Sequence, residues 1–134
     1  MSGSWDATVK AVTAVEKGTA NTVDVIESGK TFDVLVDIEV GKGIIAFGGA
    51  SYRLVATVRN QSQFTVAYAV PASTAQLPST GNENFQTQIR INIPDTTWAA
   101  AEDDVLDVIA SFSLKSGQFT DTTSTTSRSF LVSA

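Results

Sequence analysis

Apolar and polar positions alternate through almost the whole chain. In "TFDVLVDIEV" (Thr31–Val40), Phe32, Val34, Val36, Ile38 and Val40 fall on one parity, and Asp33, Leu35, Asp37 and Glu39 on the other. Successive side chains of a strand point to opposite faces, so this period predicts a half-buried strand. The pattern recurs in "WDATVKAVTAV" (Trp5–Val15), where Trp5, Ala7, Val9, Ala11 and Val15 share a face. It recurs in "YRLVATVRN" (Tyr52–Asn60), with Tyr52, Leu54, Ala56 and Val58 inward, and in "FTVAYAV" (Phe64–Val70), with Phe64, Val66, Tyr68 and Val70 together. Only "QSQ" separates these two, which reads as a hairpin. "FQTQIRINI" (Phe85–Ile93) sets Phe85, Thr87, Ile89, Ile91 and Ile93 against Gln86, Gln88, Arg90 and Asn92. "VLDVIASFSLK" (Val105–Lys115) gathers Leu106, Val108, Ala110, Phe112 and Leu114. "TVDVI" (Thr22–Ile26) and "TSRSFLV" (Thr126–Val132) read as shorter strands.

The breaks carry turn chemistry. "EKGTAN" and "ESGK" are turns, Gly41–Ser51 is a glycine-rich connection, and Pro71–Asn84 reads as a loop. "PDTTWAAAEDD" has capping residues and alanines for one or two helical turns. The Thr/Ser-rich "TDTTSTTS" (Thr120–Ser127) reads as a polar hairpin loop or edge. About eight strands at this spacing, with no long amphipathic helix, predict an all-β fold. We expect one domain over residues 1–134, a two-sheet antiparallel β-sandwich with Greek-key connections.

From Thr22 onward the order is a long strand, a loop, a hairpin, another long strand and a short crossing into "DDVLDVIASFSL". That order resembles an immunoglobulin-like or fibronectin-III-like domain, with Trp5–Val15 added in front. The likeness is one of pattern; the Cys…Trp…Cys signature is missing, and no specific family is recognised. The resemblance puts Thr31–Val40 and Tyr52–Asn60 in opposite sheets. The length of Gly41–Ser51 agrees, since a hairpin rarely needs so long a connection. The alternative hairpin would set Asp33 opposite Arg59 and Glu39 opposite Arg53. With the arch, Asp33, Asp37 and Glu39 are expected on a solvent face.

Composition narrows the chemistry. A chain of 134 residues with 43% apolar side chains can bury a core without cross-links. Cysteine and histidine are both absent, which removes the thiolate nucleophile, the usual general base and the commonest metal ligand. The net charge of −5 opposes nucleic-acid binding. No apolar run is long enough for a membrane span, and the first residues lack a signal-peptide pattern, so a cytoplasmic protein is expected. We expect no enzyme, cofactor or bound metal.

Three places are candidates for binding. Ile44, Ile45 and Phe47, within "GKGIIAFGGAS", would form an apolar contact patch unless the loop folds over the sandwich end. Trp98, like Trp5, would offer a ring to a sugar unless it plugs the core. Glu102, Asp103 and Asp104, with Asp107 beyond them, form the densest carboxylate cluster, fit for calcium at a sandwich end or for a solvated corner. The reading these support is a binding or structural module for a protein partner or for a second copy, joined through the Trp5–Val15 edge as a homodimer. The alternative is a carbohydrate-binding module, with or without calcium.

Overall fold

A computed structural model describes residues 7–41, 51–70, 72–76, 85–116 and 119–133. Its strands are β1 (Ala7–Val15), β2 (Val25–Glu27), β3 (Phe32–Val40), β4 (Ser51–Asn60), β5 (Thr65–Ala69), β6 (Ser73–Gln76), β7 (Phe85–Ile93), β8 (Val105–Ser116), β9 (Phe119–Thr126) and β10 (Phe130–Ser133). They form a two-sheet β-sandwich. The smaller sheet runs β1-β3-β7 and the larger β2-β10-β8-β4-β5, with β6 also on β4 and β9 also on β8. Pairing is antiparallel except between β2 and β10. The chain crosses between sheets on either side of β2, from β3 to β4, and again on either side of β7, the Greek-key path. β3 and β4 therefore lie in different sheets, as the long connection between them implied. No helix among the described residues is long and apolar enough to cross a membrane.

The core is what the alternation foretold. Leu106, Val108, Ala110, Phe112 and Leu114 of β8 are fully buried, as are Phe32, Val34, Val36, Ile38 and Val40 of β3 and Leu54, Ala56 and Val58 of β4. Each large side chain so buried contributes about 1.5–3 kcal/mol. Phe32 sits at one end, with Phe130 and Trp98 edge-on at 5.6 and 6.0 Å.

Two strands break their own alternation. In β1, Val9 faces Ile38 while Ala11 faces Asp37, so Lys10 is an extra residue. That bulge moves Val12 and Ala14, instead of Ala11, into the core. In β5, Tyr68 faces Val58 and Val66 faces Arg59, so Ala67 is extra. Val66 thereby turns away from Tyr68 onto the outer face, which corrects the grouping of Phe64 and Val66 with the core.

Three further expectations are corrected. Residues 94–104 form turns and extended chain, with no helical turn. Thr96 and Asp103 have positive φ, and the segment is tied to the Gly29 turn by the Thr96 amide bonding the Gly29 carbonyl at 2.8 Å. Within the expected Pro71–Asn84 loop, β6 pairs with β4. The acidic side of β3 is largely covered: Asp33 is 3% exposed and Glu39 1%, and only Asp37 is partly open to solvent. β3 is the middle strand of its sheet, and long polar side chains of β7 lie across it. Arg90 and Asn92 bond Asp33, Gln88 bonds Asp37, and Gln86 bonds Glu39.

Candidate functional site: a pinned turn at the edge of the larger sheet

The β4–β5 turn, residues 61–64, follows a strand that ends in two polar residues, the half-buried Arg59 and the buried Asn60. Asn60 lies beneath it, and its Oδ1 accepts the Gln63 amide at 3.1 Å while its Nδ2 donates to Asp104 Oδ2 at 2.9 Å. Asp104 takes a second bond on Oδ2 from the Ala101 amide, and Gln63 Nε2 donates to its Oδ1. One residue beyond the end of β4, the Gln61 amide bonds the Val105 carbonyl at 2.8 Å, and the Val105 amide donates to Ser62 Oγ at 2.9 Å. The turn is thus riveted to the start of β8 by backbone and side chains together.

A second carboxylate completes the base. Asp107 is 2% exposed and accepts both Arg59 Nε and Nη2, at 2.9 and 2.8 Å, and Gln61 Nε2 at 2.7 Å. Gln61 also reaches Ser129 Oγ. These charge-assisted bonds are the strong kind. They raise the Arg59 guanidinium above its ordinary pKa, through the hydrogen bond and then the charge of Asp107. The Asn60 side chain, then the Ala101 amide, hold the Asp104 carboxyl below its usual value, against a smaller opposing effect of burial.

On this fixed base stands Phe64. Its ring is 95% exposed, and Val66 beside it is 60% exposed. Phe64 has φ of +56°, a left-handed conformation that side-chain-bearing residues adopt at a cost of about 1 kcal/mol or more. A hollow of about 460 Å³ opens next to it, lined by Arg59, Asn60, Gln61, Phe64, Thr65 and Val66. A large apolar ring held outward, on a strained but well-supported backbone, is a feature that needs explaining.

The residues singled out from sequence fall elsewhere. Ile44, Ile45 and Phe47 lie outside the described residues, as does Trp5. Trp98 is 4% exposed; its Nε1 donates to the Lys30 carbonyl at 3.0 Å, and its ring lies against Phe32. It plugs the sandwich end and leaves no face for a sugar, which removes the aromatic platform the carbohydrate reading relied on. Glu102 and Asp103 are exposed on a turn, while Asp104 points inward and is saturated by the bonds above. The cluster therefore diverges, and no set of three metal-ligating side chains converges among the described residues. Of that cluster, the site keeps Asp104 and Asp107, as supports. Phe64 and Val66 were missed because their parity matches Tyr68 and Val70; only the bulge at Ala67, invisible in the alternation, parts them.

No family model matches the chain. No curated protein matches it in sequence either. Among solved structures, it is similar to the sporulation control protein Spo0M from Bacillus subtilis, at 14% identity and a TM-score of 0.46, covering 96% of this chain and 50% of that one. It is similar to a beta-glucuronidase from Bifidobacterium dentium, at 16% identity and a TM-score of 0.40, covering 96% of this chain and 18% of the enzyme. It is also similar to AggA, the major subunit of aggregative adherence fimbriae type I from Escherichia coli, at 13% identity and a TM-score of 0.42, covering 99% of each chain. These proteins differ in role, and the likeness sets no function.

Proposed function

We propose that this domain is a non-enzymatic interaction module that joins a second copy of itself at the β5 edge, with Phe64 as the anchor. The observation that carries the reading is the exposed Phe64 ring standing beside a hollow of about 460 Å³. A knob with an adjacent hollow is self-complementary about a two-fold axis, where each ring enters the other's hollow. Aromatic anchors seated in pockets dominate interface energies. The strand beneath supports the same reading: "TVAYA" carries no charge and no proline, so it lacks the usual guards of a free edge. β1 is also an edge, as the sequence suggested, but Thr125 of β9 bonds the Val9 carbonyl at 3.0 Å and so occupies part of it. Light scattering behind size-exclusion chromatography tests the reading. A concentration-dependent dimer that Phe64→Ser and Val66→Lys each turn into monomer is expected; a wild-type monomer up to millimolar concentration rules it out.

A further inference from the structure

We infer that the outer face of the larger sheet, at the end far from Phe64, binds an acidic polysaccharide through Arg53 and Lys115. In the β4–β8 ladder Arg53 pairs with Ser113 and Lys115 with Ser51. The two cations are thus diagonal neighbours on one face, within reach of a common anion. Their chain neighbours Leu54 and Leu114 point into the core, so both cations point outward, and both are exposed. On the flanks, Thr74 of β6 stands opposite Arg53, and Thr120 of β9 opposite Lys115. Ser51, Arg53, Thr74, Ser113, Lys115 and Thr120 line a shallow depression of about 620 Å³, and Tyr52 and Leu114 line it too.

Neither charge is paired among the described residues. Among the described residues, the ion pairs are Arg59–Asp107 and Arg90–Asp33, and neither Arg53 nor Lys115 has a carboxylate within 4 Å. The nearest acid in register, Asp121, pairs with inward-facing Leu114 and so takes the other parity. Two like charges side by side are unfavourable, yet they sit here on a chain whose net charge is −5. An anionic ligand relieves that repulsion.

The surroundings select the class of ligand. A ring of four hydroxyls around two cations both donates and accepts hydrogen bonds, which suits a polyhydroxylated chain bearing carboxylate or sulfate groups. This site is independent of the Phe64 edge.

Affinity electrophoresis through gels containing polygalacturonate, dextran sulfate or neutral dextran tests the inference. Polygalacturonate, dextran sulfate or both should retard the wild type, less so as salt rises, and dextran should not. The two acidic polymers tell a uronate preference from a sulfate preference. Arg53→Gln with Lys115→Gln should lose at least tenfold in affinity. Lys17→Gln with Lys30→Gln, an equal charge change elsewhere, should lose none. Thr74→Val with Thr120→Val, which leaves charge untouched, should weaken binding about fivefold, roughly one net hydrogen bond. Circular dichroism confirms that each variant folds. The inference is overturned if neither acidic polymer retards the wild type at low salt, if the Lys17/Lys30 variant falls as far as the Arg53/Lys115 variant, or if duplex DNA retards the protein as strongly.

Discussion

Arg59 and Asp107 stand directly opposite each other in the β4–β8 ladder and close a two-pronged ion pair at 2.9 and 2.8 Å. The pair is lopsided, since the arginine side chain is 42% exposed and the aspartate 2%. Removing one partner is therefore unlike removing the other. Arg59→Met strands a buried carboxylate with only Gln61 to bond it and should cost about 3 kcal/mol. Asp107→Asn keeps an acceptor and frees an arginine that already touches water, at a cost of about 1 kcal/mol. Urea midpoints of the two variants measure the asymmetry, and equal costs would contradict it.

Acid should loosen the fold through two carboxyls. Burial acts to raise Asp33, but the Gly18 amide, Asn92 and Arg90 outweigh it and hold the group below 3.8. Asp104 is also lowered from that value, chiefly by Asn60. With both folded values depressed, the unfolded chain takes up protons first as pH falls. Their contribution is whole above the unfolded value and drains away as pH drops through and beneath 3.8. Thermal melts across that window should show a falling midpoint in the wild type. A flatter profile is expected from Asp33→Asn with Asp104→Asn, which starts lower at neutral pH.

Core sites should differ by depth. Phe112 is fully buried, with the Tyr52 ring 5.3 Å away, whereas Ile89 on edge strand β7 is only partly buried. Phe112→Ala should cost about 3–5 kcal/mol and Ile89→Ala no more than about 2. Denaturant titrations of the two variants rank them.

Phe64 should show an unusual trade. Phe64→Gly removes the left-handed strain, so the monomer should gain up to about 1 kcal/mol or at least lose nothing. The same change should abolish dimer formation in light scattering. A loss of monomer stability instead would mean that the ring serves folding.

Much of the fold was legible because β3, β4 and β8 keep strict parity from end to end, and a core-facing strand cannot slip by one residue without exposing its apolar set. The helical crossing was misjudged because alanine-rich composition records local preference, whereas the Gly29 and Trp98 contacts that hold residues 94–104 are made across the fold. Asp33 and Glu39 looked wet because alternation shows which face a residue takes but not what lies over it. Their cover comes from Arg90, Asn92 and Gln86, known only once β3 and β7 are in register. The sites were the least readable part. Phe64 is presented by one inserted alanine, and Arg53 meets Lys115 only through a ladder between segments far apart in the chain.

The inserted Lys10 makes β1 unevenly forgiving of length changes. Excising Lys10 would leave Val9 and Ala11 facing Ile38 and Asp37 as consecutive partners, an unbroken ladder with Val9, Val12 and Ala14 still indoors. Losing a residue between Ala11 and Ala14 would instead turn part of that segment inside out. Lineages of this domain can therefore shed or keep one amino acid at that spot while the strand around it stays fixed in length.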